Sequence, residues 1–119
     1  MPKIPPRREI TDDPLYQTTM AAQHLAYQLM RDMPPDHKAE AARLHMSTVH
    51  ATTCATSALE EGRAGRADSY RAMARWAEEA KGQLAPLAHL ASDARDLETL
   101  TTKLDEISKA AEAALVSVA

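Results

Sequence analysis

The residues of this chain best suited to chemistry are its five histidines, His24, His37, His45, His50 and His89, which together invite a metal-site reading. Two imidazoles share a metal from one helical face only at a spacing of three or four residues. His45 and His50 are five apart, which turns them about 140° away from each other on a helix. No Glu-x-x-His pair occurs to build a carboxylate-bridged di-iron centre. The histidines therefore read as surface or hydrogen-bonded interface side chains. If His45 and His50 lie at a subunit contact, protonation below about pH 6 should loosen that contact, because burying an unpaired imidazolium is costly. The single Cys54 sits in mid-helix among Thr and Ala, with no helix N-terminus to activate its thiol, and reads as a small packed residue. No serine stands in a G-x-S-x-G or S-x-x-K context, and Gly62-x-x-Gly65 lacks the Lys-Ser/Thr of a phosphate loop. The expectation is a non-enzymatic protein with no metal and no cofactor.

A second constellation is basic. Arg63, Arg66, Arg71 and Arg75 cluster where a second helix should hand over to a third, and four guanidinium groups in so short a span could hold phosphates. They could equally neutralise Glu60, Glu61, Glu78 and Glu79; Arg75 lies four residues before Glu79, a spacing that suits an intrahelical pair. A net charge of −3 and a pI near 5.9 give no general affinity for nucleic acid, and only Tyr70 and Trp76 could stack on bases. Repetition around an oligomer would still let a weak basic corner act multivalently.

The elements that must position these groups are helices. Residues 1–12 hold three prolines and Lys3, Arg7 and Arg8, and read as an extended basic arm. Asp13-Pro14 is an N-cap followed by a proline at the first helical position, so residues 13–119 form one domain whose first long helix covers about 14–31. Leu15, Ala22, Leu25, Ala26 and Leu29 make its inner face. Tyr16, Met20, Tyr27 and Met30 make a second apolar stripe about 120° around it. A helix with two such stripes needs two partners. Pro34-Pro35 ends it, and the second helix, about 36–61, closes at Gly62. The third, about 67–91, carries Tyr70, Met73, Ala77, Ala80, Leu84 and Leu87, with a bend expected at Pro86. The fourth, about 94–117, carries Leu97, Leu100, Leu104, Ile107 and Ala111. Short connections dictate an antiparallel up-down-up-down four-helix bundle.

The second helix departs from the usual pattern. From Leu44 to Leu59 it contains no Asp, Glu, Lys or Arg, in a chain that is 26% charged. Leu44, Thr48, Ala51, Ala55, Ala58 and Leu59 form one face, and Met46, Val49, Thr53 and Thr56 another nearly opposite. A helix in a lone bundle shows water a charged side. This one should be covered twice, by the bundle and by a second copy of the chain. Tyr16, Met20, Tyr27, Met46, Val49, Thr53, Thr56 and Trp76 are the candidate interface residues. Phe is absent and aromatics are 3% of the chain, so the core must be built from Ala, Leu and Met, a marginal core that favours assembly. The lone cysteine, the absence of a signal-peptide h-region and the lack of a long apolar span place the chain in the cytoplasm by default.

Glu61-Gly62 closing an uncharged Ala/Thr-rich helix, the short basic turn, and then Ser69-Tyr70 with Met73, Ala77 and Leu84 resemble the four-helix-bundle family encoded in intervening sequences of large-subunit ribosomal RNA. That family includes the accessory variability determinants of diversity-generating retroelements. The resemblance implies an antiparallel bundle assembled into a ring-like homopentamer, and the functional expectation for the chain is a non-enzymatic scaffold or adaptor, with a nucleic-acid-binding accessory protein using the basic corner as the alternative. For the retroelement members it implies binding to a reverse transcriptase and to nucleic acid through a basic surface. The chain differs from that pattern in being acidic overall and in having Gln83-Leu84 where many relatives have Glu-Leu.

Overall fold

Four stretches that repeat small or apolar residues at helical spacing become four long helices in the computed structural model, which describes residues 7–60, 63–90 and 94–118, with side chains for 10–60, 65–90 and 94–117. The elements are α1 (Arg7–Asp12), α2 (Pro14–Asp32), α3 (Lys38–Glu60), α4 (Arg63–Leu84) and α5 (Ala94–Val118), with 3-10 turns at Pro35–His37 and Ala85–Leu90. α2 packs on α3, α3 on α4, α4 on α5, and α5 closes back on α2, in a bundle of long antiparallel helices measuring 49 × 25 × 22 Å.

The extended arm expected over residues 1–12 is in part a helix. No proline falls between Pro6 and Pro14, so nothing prevents Arg7–Asp12 from winding into α1; residues 1–6 lie outside the described residues. Asp13 then breaks the run and caps α2 as expected, its carboxylate accepting the Tyr16 N–H at 2.9 Å with Pro14 at the first helical position. The connection expected at 62–66 is shorter than its glycines suggest. α4 begins at Arg63 and takes Gly65 into its first turn, a cost of at most about 1 kcal/mol that its alanine and arginine neighbours offset. The Gly62 terminator lies outside the described residues. At the far end the helix expected to run on to about residue 91 with a bend at Pro86 instead stops at Leu84: the proline has no N–H to give, and the chain tightens into a 3-10 turn over Ala85–Leu90 that still buries Leu87.

The core is divided unequally. Among the described residues seventeen apolar ones are buried and nine of these are alanines, and α3 supplies Ala41, Ala51, Ala55 and Ala58 beside a single large side chain, Leu44. α5 supplies Leu100, Leu104 and Ile107 with only Ala111 among them. Small residues let α3 approach its neighbours closely but remove little area from water, whereas each leucine is worth about 1.5–3 kcal/mol of burial.

Candidate functional site

The outer side of α3 is apolar in practice even where its residues are nominally polar. Met46 is 47% exposed, Val49 and Thr56 are half-buried and Thr53 is exposed, while Leu44, Thr48, Ala51, Ala55 and Ala58 are buried on the other side. The two faces expected of this helix are both present. Its hydroxyls are turned inward on the helix itself: Thr52, Thr53 and Thr56 donate to the carbonyls of Thr48, Val49 and Thr52 at 3.1, 3.1 and 3.2 Å, and Thr48 donates to His45 O at 2.5 Å. With the hydroxyl spent on the preceding turn, a threonine offers its surroundings chiefly a methyl group. Between Ala41 and Leu59 the one charged residue is Arg43.

α2 continues the same surface. Met20 and Tyr27 are 38% and 45% exposed, and the Tyr27 ring meets His45 of α3 with centroids 5.6 Å apart at a 59° tilt. From Leu15 to Met30 this helix also contains no Asp, Glu, Lys or Arg. Attention to α3 alone misses that run, although a count of charges along α2 would have found it. Beside Tyr27 a groove of about 480 Å³ runs between α2 and α3, floored by Met30, Ala39 and Ala42 with Arg31 and Lys38 at its edge. Tyr16, near the start of α2, is half-buried and packs against the core cluster.

On the opposite flank of α3, His50 lies flat on Trp76 of α4, the ring centroids 4.4 Å apart and the planes 22° from parallel. Trp76 is half-buried, stacked on His50 and packed against the core. Buried Ser47 ties the same two helices, donating to Gln83 Oε1 at 2.6 Å. A second groove, about 320 Å³, opens here between Met46 and Trp76, with Arg43 at its rim.

The three arginines of the basic cluster whose side chains are described, Arg66, Arg71 and Arg75, do not converge. Arg66 turns back and donates from Nε to the Ala58 carbonyl at 3.0 Å, supplying a cation to the C-terminal end of α3, where Glu60 made one expected. Arg71 pairs with Asp68 at 2.9 Å. Arg75 is exposed, and its anticipated pair with Glu79 is not formed; the Glu79 carboxylate accepts from Gln83 Nε2 at 3.4 Å. The Arg63 side chain lies outside the described residues. The histidines are similarly dispersed. His37 Nδ1 is 3.6 Å from Glu40, His24 Nε2 is 3.2 Å from Gln28 Nε2, and His89 is exposed in the last 3-10 turn. Cys54 is half-buried and packs against the core. Among the described residues no three His, Cys, Asp or Glu side chains group as metal ligands, and no helix is long and apolar enough to cross a membrane.

The seam between α4 and α5 is built from charge. Lys81 Nζ lies 2.7 Å from Asp105 and 3.2 Å from Glu78, and Ser108 donates to Glu78 at 2.9 Å. The Ser108 hydroxyl, then Lys81, hold the Glu78 carboxyl below its ordinary range, and Lys81 does the same to Asp105. The two carboxylates in turn, Asp105 first, push the Lys81 ammonium up. No known protein family, curated protein or solved structure matches the chain.

Proposed function

We propose that this chain is a non-enzymatic building block that assembles with copies of itself through the α2–α3 face, including the Trp76 flank, into a ring that serves as a scaffold or adaptor in the cytoplasm. The observation that carries the reading is the adjacency of two helices that each run sixteen residues without charge, Leu15–Met30 and Leu44–Leu59. Three of the four large hydrophobic side chains exposed among the described residues, Met20, Tyr27 and Met46, stand on those two helices. A monomer has no use for such a side, because exposed apolar patches cost solubility and mark contact sites.

A second copy is the occupant that suits this face best. The face is close to neutral, so it meets its own likeness with little unpaired charge to bury, and the few cations at its margins, Arg31, Lys38 and Arg43, offer little to an anionic membrane or to nucleic acid. A closed ring of more than two subunits needs two different patches per subunit. The grooves on either side of α3 differ in lining, one with Tyr27 and Met30, the other with Met46 and Trp76, and would serve as those two patches. Five subunits is the number implied by the resemblance to the intervening-sequence proteins.

Light scattering coupled to gel filtration at pH 8 tests the reading. A mass near five times 13.0 kDa is expected. A monomer at micromolar concentration defeats it, and a dimer keeps the face but removes the ring. Retention of nucleic acid at low salt with steep loss as salt rises would instead favour a phosphate-binding accessory role centred on Arg75 and its neighbours.

A further inference from the structure

Three of the five histidines lie along the uncharged α2–α3 side. His24 is exposed on α2 with Gln28 in hydrogen-bonding reach, His45 is half-buried against Tyr27, and His50 is exposed and stacked on Trp76. We infer that mild acid dismantles the proposed ring by charging these three rings, an inference that rests on the α2–α3 face being where copies meet.

Imidazole takes up a proton at about pH 6.5 in water. A neutral ring can be covered by a neighbouring subunit at little cost, whereas an imidazolium loses its hydration and must find a negative partner. This face provides none. α2 has no carboxylate from Leu15 to Met30, and α3 has none from Ala41 to Leu59, where Arg43 adds a positive charge. The surrounding elements help little. Asp32 at the end of α2 lies about two turns from His24 and is paired with Arg31, and Asp12 of α1 lies about three turns away. Glu40 stands five residues before His45, turned about 140° from it and 3.6 Å from His37, and Asp36 is about two and a half turns away. Arg31 and Lys38 add positive charge at the groove beside Tyr27. Glu106 of α5 borders the other edge of α2, beside Leu15 and Thr18. On α4, Asp68 is paired with Arg71, Glu79 is bonded to Gln83, and Arg75 carries charge of the same sign as imidazolium. Attraction to the faces of Trp76 and Tyr27 offsets part of the cost for His50 and His45. His24 has no such ring beside it. Because the proposed ring joins the Tyr27 patch of one subunit to the Trp76 patch of the next, the new charge on His24 and His45 would face that on His50 across each contact.

The experiment is sedimentation velocity on the full chain at pH 8, 7, 6 and 5.5 and constant ionic strength, with far-ultraviolet circular dichroism at each pH. An assembled species at pH 8 that falls to a folded monomer by pH 5.5 is expected, the association constant dropping at least tenfold, with helix content unchanged. The H24Q/H45Q/H50Q variant should stay assembled at pH 5.5. An assembled wild type at pH 5.5, or a triple variant that dissociates over the same interval, overturns the switch and leaves the assembly standing. A monomer already at pH 8 overturns the assembly itself. Should the triple variant fail to assemble at pH 8, the wild-type association constant against pH decides alone: at least one proton taken up per dissociated contact supports the switch, and a flat line refutes it.

Discussion

α3 and α5 both lean on α2 and α4, yet they are built on opposite plans. α5 puts Leu100, Leu104 and Ile107 into the core and shows water Glu98, Glu106, Lys109 and Glu112. α3 puts alanines and threonines into the core and shows water Met46, Val49 and Thr53. The first plan suits a helix whose packing is complete within one chain. The second keeps large side chains outside, and the difference teaches that burial inside the subunit does not account for the composition of α3. The same division runs through whole halves of the bundle, since α2 shares the uncharged character of α3, while α4 and α5 are joined by the Lys81–Asp105 network.

The largest effect should come from the core that α5 dominates. Leu104→Ala, at a fully buried position, is expected to cost about 2–5 kcal/mol in urea unfolding, enough to threaten the fold. The matching truncation on α3, Thr48→Ala, should cost much less; equal losses would erase the contrast. Next comes the outer side. Met46→Glu places a carboxylate where the proposed contact is dry and should weaken self-association about 100-fold, or ~2.8 kcal/mol, while leaving a folded monomer. Thr99→Glu on the exposed side of α5, with Arg95 and Lys103 four residues away on either side, should leave the mass unchanged and stability within about 0.5 kcal/mol. If both substitutions dissociate the particle, or neither does, the α2–α3 face is not special.

A smaller effect separates the seams. Ser47→Ala strands the Gln83 carbonyl between α3 and α4 and should cost about 1–3 kcal/mol by denaturant midpoint, against about 0.5–1.5 kcal/mol for Ser108→Ala between α4 and α5. The smallest is the pH response of the charged seam. Glu78 and Asp105 have carboxyls held low in the folded chain, so their contribution is full above the unfolded carboxylate range and fades as pH falls through it, at about pH 4 and below. Lys81→Met should flatten the stability profile between about pH 5 and 3. An unchanged profile would mean that the network does not couple to folding.

Much of this was legible in the residues, for reasons that differ by element. The four helices follow from spacing, and the start of α2 from Asp13-Pro14, because capping is a local matter of one carboxylate and a few N–H groups. The two faces of α3 follow from a wheel drawn on an uninterrupted helix. Arg66 was not legible as an inward residue: with the third helix starting at Ala67 it sits in a loop, whereas extending α4 back to Arg63 rotates it toward the end of α3. The uncharged run of α2 is easily overlooked because glutamines and His24 look hydrophilic on a composition scale although they carry no fixed charge. The Arg75–Glu79 pair is absent although its spacing allows it, because exposed ion pairs are worth little and two long side chains are not held together by spacing alone.

The inward-bonded hydroxyls of α3 leave the chain a choice in how it meets water. Each threonine has two substituents to present, and a single torsion chooses between them; in a helix both settings are accessible to Thr, unlike Val or Ile. In the single chain the hydroxyls of Thr53 and Thr56 bond to the carbonyl one turn back and leave the methyl outside, and a swing of about 120° would hand either hydroxyl to water and wet the surface. A helix written in valine has no such second setting and would show water a fixed apolar strip. Written in threonine, it carries its own removable raincoat.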